Sequence, residues 1–190
     1  MIEVLFIDDQ YLKDNSPMGT SIDVNEIYPF VSNSQSIYIQ DVLGTPLYND
    51  FLTKTSNYVA GSGATFSSYE WELLGLCSKA LVYWSTYSAI PHLYVRLRNA
   101  GVVKQNSEYT QNADMSEMKY IREEMKNLAE FWNTRVVNYI CQYSIQFPLY
   151  NAASTDMYPQ TIQYDSDIYI EDRYRDLTYE ELRYLKKYLG

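Results

Sequence analysis

The sequence predicts a mainly α-helical domain: a bundle of about four helices including one long helix, with a short N-terminal strand and a C-terminal extension of minor β content. Three observations carry this expectation. Apolar residues recur at steps of three or four from Met118 to Tyr143, the period of a helix with one buried side. The segment from Trp71 to Ile90 carries two adjoining apolar stripes, as a central buried helix must. Residues that start and stop helices bracket the remaining periodic stretches.

Taken in chain order, Ile2 to Ile7 is β-branched and aromatic and reads as a short strand, and Lys13 to Ser21 reads as a loop with its own Pro and Gly. A first helix opens near Asp23 or Asn25. Ile27, Phe30, Val31, Ser34, Ile37, Tyr38 and Val42 trace its apolar side, and Gly44 ends it. Thr45 and Pro46 then serve as N-cap and first helical residue of a second helix, through Leu47, Tyr48, Phe51 and Leu52 to about Ala60. Gly61-Ser62-Gly63 is a break, and Ser67 to Glu70 has the capping-box spacing that opens the third helix. Pro91 kinks or ends that helix, and Asn99-Ala100-Gly101 is a helical stop.

The long helix follows a polar loop, with Met118, Ile121, Met125, Leu128, Trp132, Val136, Tyr139 and Tyr143 on its stripe. Phe147-Pro148-Leu149 closes the compact region, so residues 1–150 read as the helical domain and 151–190 as a docking extension. That extension is polar and tyrosine-rich. It has a possible strand at Asp167 to Ile170 and a last helix opening at Thr178. Tyr150, Tyr158, Tyr164, Tyr169 and Tyr174 sit where few aliphatics could cover them, and tyrosine suits protein interfaces because it offers rigid apolar area with a polar tip.

Composition narrows the chemistry. The chain of 190 residues has 24 acidic and 15 basic side chains, a formal charge of −9, and residues 1–30 alone hold six acids against Lys13. No apolar run approaches the roughly 20 residues of a membrane span. An acid precedes the short apolar stretch at the N-terminus, which does not fit a secretory signal. A soluble intracellular protein is expected.

A single histidine, His92, rules out sites built from two imidazoles, and it leaves nucleophilic catalysis hanging on one residue with Cys77 or Ser88 as partner. Cys77 and Cys141 read as buried, inert thiols, and Trp71, Trp84, Trp132 and Met125 as core. The loop at Asp165-Ser166-Asp167 fails as a calcium site because Tyr169 and Ile170 stand where an oxygen ligand and a glycine are needed. The adjacent acids Asp8/Asp9, Glu123/Glu124, Glu171/Asp172 and Glu180/Glu181 read as solvated charge. No enzyme activity, cofactor or metal is expected. Arg96, Arg98 and Lys104 form a local basic surplus, too small to hold DNA in so acidic a chain and better suited to the acids of another protein surface.

One resemblance adds to this reading. The stretch from Phe6 to Phe51 has a Tyr11-Leu12 segment, a helix ending in Leu43-Gly44 and the Leu47-Tyr48-Asn49-Asp50-Phe51 start of the next helix. Farther on come Arg96 to Val103 and the long helix through Glu130 to Ile140. In order and spacing these resemble the head-tail connector proteins (adaptor or neck ring) of tailed phages, including crAss-like phages, over about residues 5–145. The resemblance implies a structural virion protein whose helical protomers assemble as a homo-oligomeric, twelve-fold ring beneath the portal. Its partners would be copies of itself, the portal, and neighbouring neck or tail rings, with double-stranded DNA passing through the lumen without specific binding and no membrane involved. The protein would act in the virion and assemble in the host cytoplasm. Arg96, Arg98, Lys104, Tyr158, Tyr164, Tyr169 and Tyr174 are the candidate interface residues. The alternative is a cytoplasmic helical protein-binding module with a partner-docking tail.

Overall fold

A computed structural model describes residues 4–17, 24–63, 66–98, 101–104, 115–152 and 156–159. They form a mainly helical bundle, as the periodicities predict.

The N-terminal segment departs from expectation at once. Val4 to Ile7 are not a strand. Their backbone pairs instead with one side chain: the Phe6 N–H donates to Gln35 Oε1 at 2.8 Å, and Gln35 Nε2 donates to the Val4 carbonyl at 2.9 Å. A carboxamide carries the same donor and acceptor as a peptide group, so Gln35 takes the place of a neighbouring strand. Helix α1 (Asp9–Asn15) follows, where a loop was expected from Lys13 onward. Asp8 accepts from the Tyr11 N–H at 2.7 Å, Asp9 pairs with Lys13 at 3.7 Å, and buried Leu12 pins the turn to the core.

The next periodic segment is one composite helix. It comprises α2 (Val24–Ser34), a π-helical turn (Gln35–Ile39) and α3 (Gln40–Leu43). The wider turn changes the phase of the apolar stripe. Ile37, predicted on the core side, is 59% exposed, whereas Ile39 is buried and Gln35 points inward. Gly44 stops the helix at φ 72°, and α4 (Thr45–Val59) starts at the next residue, with Gly44 rather than Thr45 as its N-cap. Leu47, Tyr48 and Phe51 bury one side of α4.

Helix α5 (Ser68–Tyr94) is the centre of the bundle. Its capping box forms as the spacing predicts: Ser67 Oγ accepts from the Glu70 N–H at 3.2 Å, and the Ser67 N–H donates to Glu70 Oε2 at 2.8 Å. Leu73, Cys77, Ala80, Leu81, Val82 and Ala89 are all but inaccessible to solvent. Pro91 lies inside the helix rather than ending it. Only three residues follow it, so its missing N–H removes a single hydrogen bond from the final turn.

Of the predicted helical stop, Asn99 and Ala100 lie outside the described residues, and strands stand on either side of them. Strands β1 (Val95–Arg98) and β2 (Gly101–Lys104) pair antiparallel, with Val95 opposite Lys104 and Arg98 opposite Gly101. Val95, Val102 and Val103 favour extended chain there.

Helix α6 (Met115–Gln142) returns antiparallel to α5. Tyr69 meets Tyr143, Glu72 accepts from the Tyr139 hydroxyl at 2.9 Å, the Lys79 ammonium lies 4.6 Å from the Trp132 ring centre, and Arg122 lies 4.2 Å from that of Tyr87. Two 3-10 turns, Ser144–Gln146 and Pro148–Asn151, then bury Phe147 and Tyr150. Tyr150 is thus a core residue and not an uncovered tail tyrosine, and its burial raises its phenol pKa. Of the tryptophans, Trp84 is buried and Trp132 partly so, while Trp71 is 44% exposed, against its predicted core place.

Two consequences are measurable. Gln35→Leu keeps the bulk but strands the Phe6 N–H and the Val4 carbonyl, each worth about 1–3 kcal/mol when buried without a partner. Chemical denaturation should therefore show a loss of about 2–5 kcal/mol, with the N-terminal amides exchanging first. An unchanged midpoint would contradict the role given to Gln35.

The second concerns Glu70. Burial opposes its ionisation, but hydrogen bonds from Lys54 and from the Ser67 N–H outweigh that and hold its pKa below the usual value. A depressed folded-state pKa stabilises above the unfolded value and is lost as pH falls through the folded one. Glu70→Gln should therefore be clearly less stable than wild type at pH 7, with the gap closing in thermal melts as the pH falls below the ordinary carboxylate range.

Candidate interaction surfaces

A short C-terminal strap crosses the α3–α4 junction. Asp156 Oδ2 accepts from Thr45 Oγ1 at 2.8 Å and from Gln40 Nε2 at 3.4 Å. The Thr45 N–H donates to the Met157 carbonyl at 3.0 Å, and the Met157 N–H donates to Thr45 Oγ1 at 3.3 Å. A negative carboxylate at the start of α4 also suits that end of the helix dipole. Pro159 then lies directly on Gly44: a Cβ built there would sit 2.6 Å from Pro159 Cδ and 2.9 Å from its nitrogen. Gly44 thus does two jobs, since its φ of 72° also favours glycine. Tyr158 projects from this strap, 60% exposed, where the sequence placed an interface tyrosine. Tyr164, Tyr169 and Tyr174 lie outside the described residues, as do the possible strand at Asp167 and the Asp165 loop.

Apolar side chains are exposed at different levels of the bundle. At the α4–α5 turn, Tyr58 and Trp71 pack edge to face at 5.1 Å and both touch Phe66, yet Tyr58 is 57% exposed and Val59 79%. On α6, Tyr120, Ile121 and Phe131 face solvent. Tyr120 and Ile121 immediately precede Arg122, which sits level with Tyr87, so they lie about 24 Å along the α5 axis from Trp71, and Phe131 stands about 16 Å from Tyr120 along α6 with exposed Glu124 and Asn127 between. The predicted stripe included Ile121. α6 turns that residue outward and uses Ala129, Val137 and Ile140 against the core. Exposed aromatics could not be told from core ones by sequence, because both recur at helical spacing.

Between the N-terminal segment and α2 lies an apolar cleft of about 210 Å³. Leu5, Ile7, Leu12, Ile27 and Val31 wall it, Tyr28 stands at its rim, and Asp8, Asp9 and Lys13 stand at its mouth. The predicted basic residues Arg96 and Arg98 belong to β1 and Lys104 to β2, which places all three on one ribbon at the end of α5.

The residues weighed for chemistry are kept apart. Cys77 is fully buried, and desolvation pushes its thiol up to about 12, so it is neutral at pH 7. Cys141 is exposed, against the buried place expected of it. His92 is an exposed residue whose ring packs 4.9 Å from that of Phe30, and 15 residues of helix put it about 22 Å from Cys77. Ser88 lies one turn before His92 and its hydroxyl accepts from Ser34 at 3.2 Å. Among the described residues no group of His, Cys, Asp and Glu converges as metal ligands would, and no helix is long and apolar enough to cross a membrane.

The chain belongs to a family of unknown function, DUF6712, which it matches over residues 39–160. Neither a curated protein nor a solved structure matches it. The family match begins within the π-turn and runs to the end of the strap, so it encloses both sides of the Gly44–Pro159 contact.

Gly44→Ala should therefore act in two ways. The left-handed backbone costs about 1–3 kcal/mol in stability, and the methyl group displaces Pro159. Limited proteolysis should then cut near residue 156 faster than in wild type. Pro159→Ala in the same background removes the contact with Cδ but not that with the backbone nitrogen, so it should return protection of the strap only in part and leave the backbone cost in place. An intact strap in Gly44→Ala alone would contradict the packing described.

Proposed function

We propose that the protein is a structural, non-enzymatic subunit of a tailed-phage head-tail connector ring, present in the virion neck and assembled in the host cytoplasm. The resemblance of Tyr11-Leu12, Leu43-Gly44, Leu47 to Phe51 and Arg96 to Val103 to connector proteins motivates this reading. The structural observation that supports it is the exposure of apolar side chains in two separated regions of the bundle. One holds Tyr58, Val59 and Trp71, and the other Tyr120, Ile121 and Phe131.

A closed two-fold dimer needs one self-complementary patch, whereas a ring needs two different surfaces that complement each other. Exposed aromatic patches on an otherwise polar surface are what such contacts use. In this reading neighbouring copies fill the lateral surfaces, and the strap with Tyr158 leads the C-terminal extension towards the portal or the next ring. DNA crosses the lumen without being held, since a chain of charge −9 repels its backbone. The second reading, a helical binding module, predicts a stoichiometric complex without ring symmetry.

Negative-stain imaging of the purified protein mixed with a cognate portal should show rings on the portal's axis, with twelve-fold class averages. A protein that stays monomeric with portal present would sink the reading. Loss of those rings in Trp71→Ser or Phe131→Ser, with helicity retained, would tie them to the exposed patches.

A further inference from the structure

Strands β1 and β2 form a two-stranded hairpin at the end of α5. A two-stranded hairpin is marginally stable at best by itself in water. Its main neighbour in the chain is the end of α5. From Pro91 to Lys104 the sequence carries Arg96, Arg98 and Lys104 with no acid, interleaved with Val95, Leu97, Val102 and Val103. A segment both apolar and cationic is best received by a surface both apolar and acidic.

The cleft between the N-terminal segment and α2 has those properties. Its walls are aliphatic, and Asp8 and Asp9 stand at its mouth. Lys13 is there too, but it already pairs with Asp9, whose side chain is still 52% exposed. The whole arm around the cleft is acidic, with six acids against one base in residues 1–30.

We infer that the cleft lined by Leu5, Ile7, Leu12, Ile27 and Val31 receives the ribbon Val95–Lys104 of a second copy, with Asp8 and Asp9 facing its basic residues. This rests on the ring reading and specifies one contact between its subunits. Cleft and ribbon are different surfaces, so the contact is heterologous: each copy gives a ribbon to one neighbour and takes one from the other. The opposed charges steer the approach over about 8 Å at physiological salt and fix which end meets which.

The test reverses one side at a time in the full-length protein. Asp9→Lys alters an exposed residue whose pair with Lys13 is a weak surface contact. R96E/R98E reverses the ribbon. By sedimentation velocity at low salt, each variant alone should self-associate about tenfold more weakly than wild type or worse, and a one-to-one mixture should recover wild-type association. The mixture recovers because the basic cleft of one variant meets the acidic ribbon of the other. Either variant associating as wild type, a mixture that stays apart, or a wild type monomeric at every concentration and salt overturns the inference.

Should R96E/R98E lose its helical circular dichroism, a second pair decides. Tyr28→Cys with Val103→Cys, in a Cys141→Ser background, should oxidise to disulfide-linked ladders between copies. A bond within one chain, or none, overturns the inference. Rings that form on the portal regardless of the charge reversals refute this contact and leave the connector reading standing. Ribbon-dependent association without any ring on the portal does the opposite.

Discussion

The fold depends on how the Gln35 side chain is used. This residue is 1% exposed, and an uncharged amide in such a place must find partners for both its ends. It finds three: Oε1 accepts from the Phe6 N–H, and Nε2 reaches the Val4 carbonyl and the Tyr48 hydroxyl. The N-terminal segment, the composite helix and α4 thereby meet at one polar point inside an apolar core. Only with the N-terminal segment so held do Phe6 and Ile7 complete the core around Tyr48 and Phe51. The π-turn belongs to the same solution, since it begins at Gln35 and ends at Ile39, and both side chains are buried.

From that point outward the bundle is held by aromatic and aliphatic contact. α5 is apolar around much of its circumference and must be covered on several sides. The composite helix covers one side, where Tyr38 stacks on Trp84 at 3.7 Å and 6°. α6 covers another through Val136, Ala129 and Ile140. Tyr87 joins the two sides, edge-on to Trp84 and beneath the Arg122 guanidinium. Polar ties of modest strength stand at the bundle's ends. Lys54 bridges Asp50 and Glu70 where α4 meets the start of α5, and Asp156 closes the strap over Thr45.

What the sequence disclosed and what it hid follow one rule. Features set within a few residues were legible: the capping box from Ser67 to Glu70, the left-handed Gly44, and the period of α6. Features decided by distant partners were not. Val4 to Ile7 have strand composition, but the group that pairs with them is a glutamine side chain 29 residues away from Phe6. Trp71 stands on a helical stripe and Tyr150 beyond the last one, yet the first meets solvent and the second the core, because only the tertiary arrangement decides what lies over each. Pro91 looked terminal because its local penalty is real, and the packing of α5 outweighs a single lost hydrogen bond. The candidate surfaces were half legible in the same way: the basic cluster could be read from Arg96 to Lys104, but the cleft draws on two separate stretches, residues 5–13 and 27–31.

Charge and apolar surface together narrow the kind of assembly such a molecule can form. Net charge of −9 makes any contact between copies costly unless a cationic group sits inside it, because like charges oppose close approach. The cations of residues 91–104 are grouped on the ribbon, and six acids are grouped in the first thirty residues. Matching one to the other within a two-fold dimer would require both contacts to form at once between the same two chains. That restricts the separation and angle of cleft and ribbon to a single geometry. A head-to-tail contact carries no such restriction, since each copy needs only one neighbour on either side. For the ring proposed above, a head-to-tail contact is therefore the less restrictive way to bring the cationic ribbon of one copy to the acidic arm of another.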